Sequence, residues 1–132
     1  MWTFNIKAGK VFHNGEFFST GWSGHNVRGG VQGRNNPATQ AVKDIGSLPV
    51  GKYTAGAAYD SQKTGPVTIP LTPDPSNQMY NRDGFKIHGW QIGTDPNDPY
   101  NPSSDGCIQQ ARPYREAINS SPDKDWEVIS GE

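Results

Sequence analysis

Trp2-Thr-Phe-Asn-Ile6, followed by Lys10-Val-Phe-His13, Asn14-Gly15 and Glu16-Phe-Phe-Ser-Thr20, decides how this chain folds. Trp2, Phe4 and Ile6 recur at every second position, which puts three large apolar groups on one face of a strand. Lys7 to Lys10 holds a glycine and reads as a turn, after which Val11-Phe12 resumes the apolar run. Asn14-Gly15 supplies two residues that accept positive φ, the requirement of a tight two-residue hairpin. Residues 1–20 therefore read as an N-terminal β-meander, and a meander needs further strands to cover its apolar face.

The rest of the chain agrees with a mainly β fold. Its 132 residues suit one domain, and neither a repeat nor a long linker divides it. Only 32% of residues are apolar while there are 16 glycines and 11 prolines, so many short elements joined by turns are expected rather than long amphipathic helices. Residues 21–37 are glycine-rich and polar and read as loop. Pro37-Ala-Thr-Gln-Ala-Val-Lys43 is expected to form a short helix that starts at its proline. Lys52–Gly56, Val67–Leu71 and Gly84–His88 read as strands, with Pro70 placing the second at a sheet edge or a strand end. The stretch from Trp90 to Asp105 carries Pro96, Pro99 and Pro102 and reads as a restrained long loop. Ala111–Ser120 is the best second helix, and Trp126–Ile129 a closing strand.

Charge and cysteine content exclude several functions. The formal net charge is −1 and the Lys and Arg residues are scattered, so no basic stripe for nucleic acid forms. A single cysteine cannot staple the fold. The first residues lack a basic segment followed by an apolar one, and no apolar run is long enough for a membrane anchor. No CxxC, HxxxH or HExxH occurs, and Asp95-Pro-Asn97-Asp98 lacks the ligand spacing and glutamate of a calcium loop, so neither a metal nor another cofactor is expected.

Chemistry concentrates where Phe85-Lys-Ile-His88-Gly89 is followed, after fourteen intervening residues, by Ser104-Asp-Gly-Cys107-Ile108. A thiol becomes a nucleophile when a neighbouring base raises its thiolate fraction, and His88 ends a strand. Gly106 lets the backbone turn sharply and leaves peptide N–H groups free to meet an oxyanion. The plain alternative is a buried, inert thiol, which the polar Ser-Asp-Gly approach disfavours. His13 sits beside the hairpin turn and is expected to be solvated. His25, in Ser23-Gly24-His25-Asn26, could line a cleft.

The order His88-Gly89 and then Ser104-x-Gly106-Cys107-Ile108 resembles the active-site signature of the L,D-transpeptidase (YkuD-like) superfamily. Upstream, Gly24-His25-Asn26, Asn35-Asn36-Pro37, Gly46-Ser-Leu-Pro-Val-Gly-Lys-Tyr53 and Arg82-Asp-Gly-Phe-Lys-Ile-His-Gly89 resemble a small branch that includes type VI secretion effectors. The resemblance spans about residues 20–130. It implies a β-sandwich or barrel-like catalytic domain with one or two short helices. It also implies an enzyme of peptidoglycan stem tetrapeptides, an L,D-carboxypeptidase or an L,D-transpeptidase that exchanges D-amino acids, working through a thioester on the enzyme.

Carried onto this chain, the resemblance makes Cys107 the nucleophile and His88 its base. Peptide N–H groups from Asp105 to Cys107 would form the oxyanion hole, with Ser104, Asp105 and Gly106 supporting the loop. Arg82, Gly89 and His25 are expected to contact substrate, Arg82 by pairing its planar fork with a carboxylate. Two positions depart from the pattern: Asp105 stands where much of the superfamily has histidine, and Gln109 where many members have arginine. They bear on whether water or an amine resolves the thioester.

An effector of this branch would be made without a signal peptide and delivered to the periplasm of a target bacterium. Its partners would be stem peptides, a cognate immunity protein and a secretion adaptor or spike. Two other readings compete. An NlpC/P60-like stem peptidase places cysteine before histidine, the reverse of the order here. A non-catalytic wall-binding or toxin-adaptor module would use Trp2, Trp22, Tyr53, Tyr80, Trp90 and Tyr100 as stacking platforms.

Overall fold

The alternating N-terminal residues form β1 (Trp2–Asn5), β2 (Lys10–His13) and β3 (Glu16–Thr20) in a computed structural model that describes residues 1–132. The three strands pair antiparallel in succession. Asn14 and Gly15 both adopt positive φ, at 49° and 84°, as the tight hairpin between β2 and β3 requires. Trp2, Phe4, Ile6 and Val11 are buried together, so the period-two face is the core face.

After Gly21 come β4 (Trp22–Ser23), β5 (Gly51–Ala55), β6 (Tyr59–Ser61), β7 (Gly65–Pro73), β8 (Lys86–His88), β9 (Ile108–Gln109), the helix α1 (Arg112–Ser120) and β10 (Asp125–Ile129). Strands hold 33% of the residues and helix 9%, a mainly β fold. The strand order is β3-β2-β1-β10-β5-β7-β8-β9-β4, with β6 attached to β7 alone. The first and last members of that order are consecutive in sequence, separated only by Gly21. One extended passage therefore pairs with β2 through its first half and with β9 through its second, and the sheet closes into a barrel-like ring.

Gly21 lies at that seam. A Cβ there would approach Phe4 Cε1 at 3.0 Å and methyl groups of Val11 and Ile108 at 3.3 Å, so a side chain has no room where the two halves meet. Two pairings in the ring are parallel, β1 with β10 and β8 with β9. The interior is filled from all sides by Trp126 and Val128 of β10, Ile69 of β7, Ile87 of β8 and Ile108 of β9. Ile118 of α1 joins the same core. Each such side chain contributes about 1.5–3 kcal/mol of burial.

Several local expectations are corrected. Pro70 occupies the interior of the nine-residue β7, which pairs with β5, β6 and β8, and not an edge or strand end. The missing donor is tolerated because Pro70 faces Gly56, where β5 has ended: Gly56 N–H donates to Pro70 O, while Leu71 N–H serves the other side by donating to Phe85 O. The helix expected over 37–43 is a single 3-10 turn at Pro37–Thr39, since Asn36 Oδ1 accepts from Ala38 N–H and Thr39 Oγ1 donates to Asn36 O. His13 keeps 31% of its side chain exposed but is not free: it is stacked on Trp2 at 3.8 Å, with Nε2 2.9 Å from Asp123 Oδ2. Trp2 and Tyr53 are core residues, which removes two of the six aromatics from any stacking platform.

Candidate active site

β8 and β9 run side by side in parallel, with Ile87 level with Ile108 and His88 level with Gln109. That register sets Cys107, the residue before β9, beside Lys86, whose N–H donates to Cys107 Sγ at 3.3 Å. His88 lies two residues further along β8, on the same face as Lys86. Both His88 and Cys107 open onto one cleft of about 250 Å3. The structure thus brings together the two residues the motif singles out.

The His88 ring is fixed by its own chain: Nδ1 donates to Gly89 O at 2.5 Å. A carbonyl oxygen only accepts, so in the neutral ring Nδ1 carries the proton and Nε2 holds the free lone pair. His88 is 4% exposed, and burial pushes its pKa below the ordinary imidazole value. The charges of Arg115 and Lys86 push it the same way, while the Gly89 bond and Asp105 oppose. For the Cys107 thiol, burial raises the pKa. The Lys86 N–H and the Lys86 and Lys63 charges pull it down, and Asp105 pushes it further up. No hydrogen bond joins Sγ to the ring; Sγ contacts Lys86 N and, at 3.9 Å, Gly84 O. Both shifts favour a neutral thiol and a neutral imidazole on one cleft, suited to proton transfer during attack rather than to a standing ion pair.

Buried polar side chains hold the loop that presents the thiol. Ser104 is fully buried; its Oγ accepts from Gly24 N–H and Gly106 N–H and donates to Cys107 O at 2.6 Å. Ser23 Oγ donates to Gly106 O and accepts from Leu48 N–H. Gly106 has φ 129°, and a Cβ there would fall 2.6 Å from Arg82 Nη2 and 2.8 Å from Phe85. Of the peptide N–H groups expected to form an oxyanion hole, that of Gly106 is taken by Ser104. Those of Asp105 and Cys107 donate to no protein acceptor.

Of the three residues expected to contact substrate, Arg82 lines the cleft, whereas His25 and Gly89 do not. Arg82 is 7% exposed; Nη1 donates to Gln40 O and Ser47 O, and Nη2 to Gly46 O and Asp105 O. Its two terminal nitrogens are engaged by backbone carbonyls and tie the 40–47 segment to the Cys107 loop, so at rest it clamps these loops at the cleft wall. His25 stands outside the cleft and donates from Nδ1 to Ser104 O at 2.7 Å. Gly89 offers its carbonyl to His88 and its bare Cα to Arg115, whose Nη2 would lie 2.8 Å from a Cβ.

The cleft is polar and of mixed charge. Lys43, Lys63 and Lys86 face it together with Asp44, Asp83 and the exposed Asp105. Lys86 was missed in the sequence, although its position two residues before His88 on one strand puts it on the histidine's face. Arg115 was missed as well, and helix periodicity carries no signal that would have found it. No group of three or more His, Cys, Asp or Glu side chains converges to hold a metal ion.

A family model described as the Tlde1 domain matches residues 19–124, which contain every residue of this site. Neither the curated proteins nor the solved structures searched yield a match to this chain.

Proposed function

The chain belongs to the Tlde1 domain family, a family of type VI secretion effectors, and on that premise we propose that it is an antibacterial enzyme that cuts or exchanges peptidoglycan stem tetrapeptides through a thioester on Cys107. The observation that carries this reading is the combination at one cleft of a half-buried thiol, a histidine whose Nε2 is its free base, and a Cys107 N–H with no protein acceptor. Those are the nucleophile, general base and oxyanion donor of acyl transfer.

In the proposed reaction the Sγ proton passes to His88 Nε2 as sulfur bonds to the carbonyl carbon of the third stem residue. The oxyanion that forms is met by the N–H groups of Cys107 and Asp105, each such donor worth about 3 kcal/mol. Collapse breaks the C–N bond, and His88 returns the proton to the departing D-alanine amine, leaving a thioester and a neutral ring. Water then releases a tripeptide and restores the thiol, or the amine of another D-amino acid takes the acyl group. Asp105, at the cleft wall, is the group best placed to favour one acceptor over the other.

Membership of an effector family carries a cognate immunity protein and a secretion apparatus as partners and fits delivery to a target cell. No helix is long and apolar enough to cross a membrane. The test is to incubate the protein and Cys107→Ala with purified muropeptides and follow tetrapeptide loss by mass spectrometry. Tripeptide or exchanged product from the wild type alone is expected; equal turnover by both proteins would remove Cys107 as nucleophile.

A further inference from the structure

α1 sends Arg115 inward, and the residue is 7% exposed. Nε donates to Gln110 O at 2.9 Å, while Nη1 donates to Pro66 O at 2.8 Å and to Val67 O at 3.0 Å. Nη2 has no protein acceptor and lies against the Cα of Gly89, where an added Cβ would be 2.8 Å away. Gln110, whose carbonyl takes Nε, also donates from its own N–H to His88 O at 3.0 Å. Val67, the other anchor, has φ 58°, a left-handed conformation that a β-branched residue adopts only when its surroundings impose it.

We propose that Arg115 is the positioning residue of the His88 base: through the Gln110 bond to His88 O and its own contact with the Gly89 Cα it holds the His88–Gly89 backbone, and with it the Gly89 carbonyl that fixes the ring by its Nδ1–H. The inference rests on the reading of His88 as general base. A guanidinium suits the task because its planar fork reaches several carbonyls in fixed directions, whereas an ammonium is a point charge on a flexible stem. Its positive charge faces the ring from α1, Lys86 adds a second from β8, and Asp105 opposes from the Cys107 loop. Arg115 therefore acts on His88 in two separable ways, by geometry through the fork and by charge. Through Pro66 and Val67 it also anchors the start of β7, beside the Lys63 and Thr64 that line the cleft.

The two actions are separated by comparing isotope-labelled full chains of the wild type, Arg115→Gln, Arg115→Lys and Gly89→Ala. The imidazole nitrogen shifts of His88 report its tautomer and titration midpoint without any substrate, and muropeptide turnover gives kcat and KM. Arg115→Gln is expected to raise the midpoint, because a cation that disfavours imidazolium has gone, to mix the tautomers, and to lower kcat by as much as about a hundredfold with KM unchanged. Arg115→Lys should keep the low midpoint and restore part of kcat. Gly89→Ala, which displaces the guanidinium but retains its charge, should mix the tautomers without raising the midpoint, since weakening the Gly89 bond removes an influence that holds it up.

Wild-type tautomer and kcat in Arg115→Gln or Gly89→Ala would overturn the assignment. So would loss of the fold in both Arg115→Lys and Gly89→Ala, which would make Arg115 a structural clamp alone. If the wild type leaves muropeptides untouched, the cell-wall reading fails, and the tautomer comparison still decides the role of Arg115.

Discussion

From β3 through β2 and β1 to β10 the ring is held by strand ladders and aromatic packing, with Trp2 stacked on Trp126 at 5.7 Å and edge-on to Phe18 at 4.9 Å. From β5 through β7 and β8 to β9 the strands are interrupted by loops, and Ser23, Ser47, Arg82, Ser104 and Arg115 hold those loops by hydrogen bonds to backbone groups. The first half is held by buried area, and the second adds to its share of the core a set of buried polar side chains that fix direction. Area tolerates substitution in proportion to volume lost, whereas a directed bond leaves an unpaired group when one partner is removed. The half that would perform chemistry is therefore the half in which single polar atoms matter most.

The sharpest contrast is between activity and stability at Cys107. Cys107→Ala is expected to cut muropeptide turnover by at least about a thousandfold while leaving the melting temperature close to wild type, measured by mass spectrometry and calorimetry. A variant that kept its turnover would break the division between the halves at its centre. Next comes Arg82→Met, which strips donors from four carbonyls and is expected to cost more than about 3 kcal/mol by urea denaturation. Trp126→Ala in the other half should cost a similar amount, about 3–5 kcal/mol, through a cavity instead. Arg82→Met should also change the alkylation rate of Cys107, and Trp126→Ala in its folded fraction should not.

Ser104→Ala removes three bonds of one hydroxyl and is expected to cost about 1–3 kcal/mol and to slow turnover, since Gly106 N–H and Cys107 O lose their partner. A smaller effect is expected with pH. His88 is held below its ordinary pKa, so the unfolded chain binds a proton there more readily than the folded one. The His88 contribution to stability is therefore complete above the ordinary imidazole pKa and is lost as pH falls below it, a trend His88→Gln should flatten in acid denaturation curves. Turnover should likewise rise with pH through the depressed His88 midpoint. The least effect belongs to Phe17→Ser, at a side chain 58% exposed on the β2–β3 hairpin, expected within about 0.5 kcal/mol of wild type.

What could be read in advance follows the same division. The meander was legible because period-two alternation and Asn14-Gly15 are local signals, and α1 because Glu116, Ala117 and Ile118 support a helix in a stretch free of glycine. Cys107 and His88 were legible as a pair through order and flanking glycines. The role of Arg82 was not, because its acceptors Gln40, Gly46 and Ser47 lie far away in sequence and become neighbours only when the loops fold. Pro70 misled for a related reason: proline is excluded from a strand interior only where its missing N–H would meet a partner, and which side lacks one is decided by where β5 ends. Arg115 combined both difficulties, a charge buried by segments distant in the chain.

The seam at Gly21 and the neighbouring β1 and β10 also bear on how the chain acquires its shape. Trp2 and Trp126 are register partners, so strands from opposite ends of the described chain complete each other's ladders. Until Ile129 has been synthesised, β1 and β5 both remain open edges, and no subset of earlier strands can close the ring. Such long-range pairing sets folding on a timescale of about milliseconds to seconds, and it makes circularity an all-or-none property acquired at the final strand.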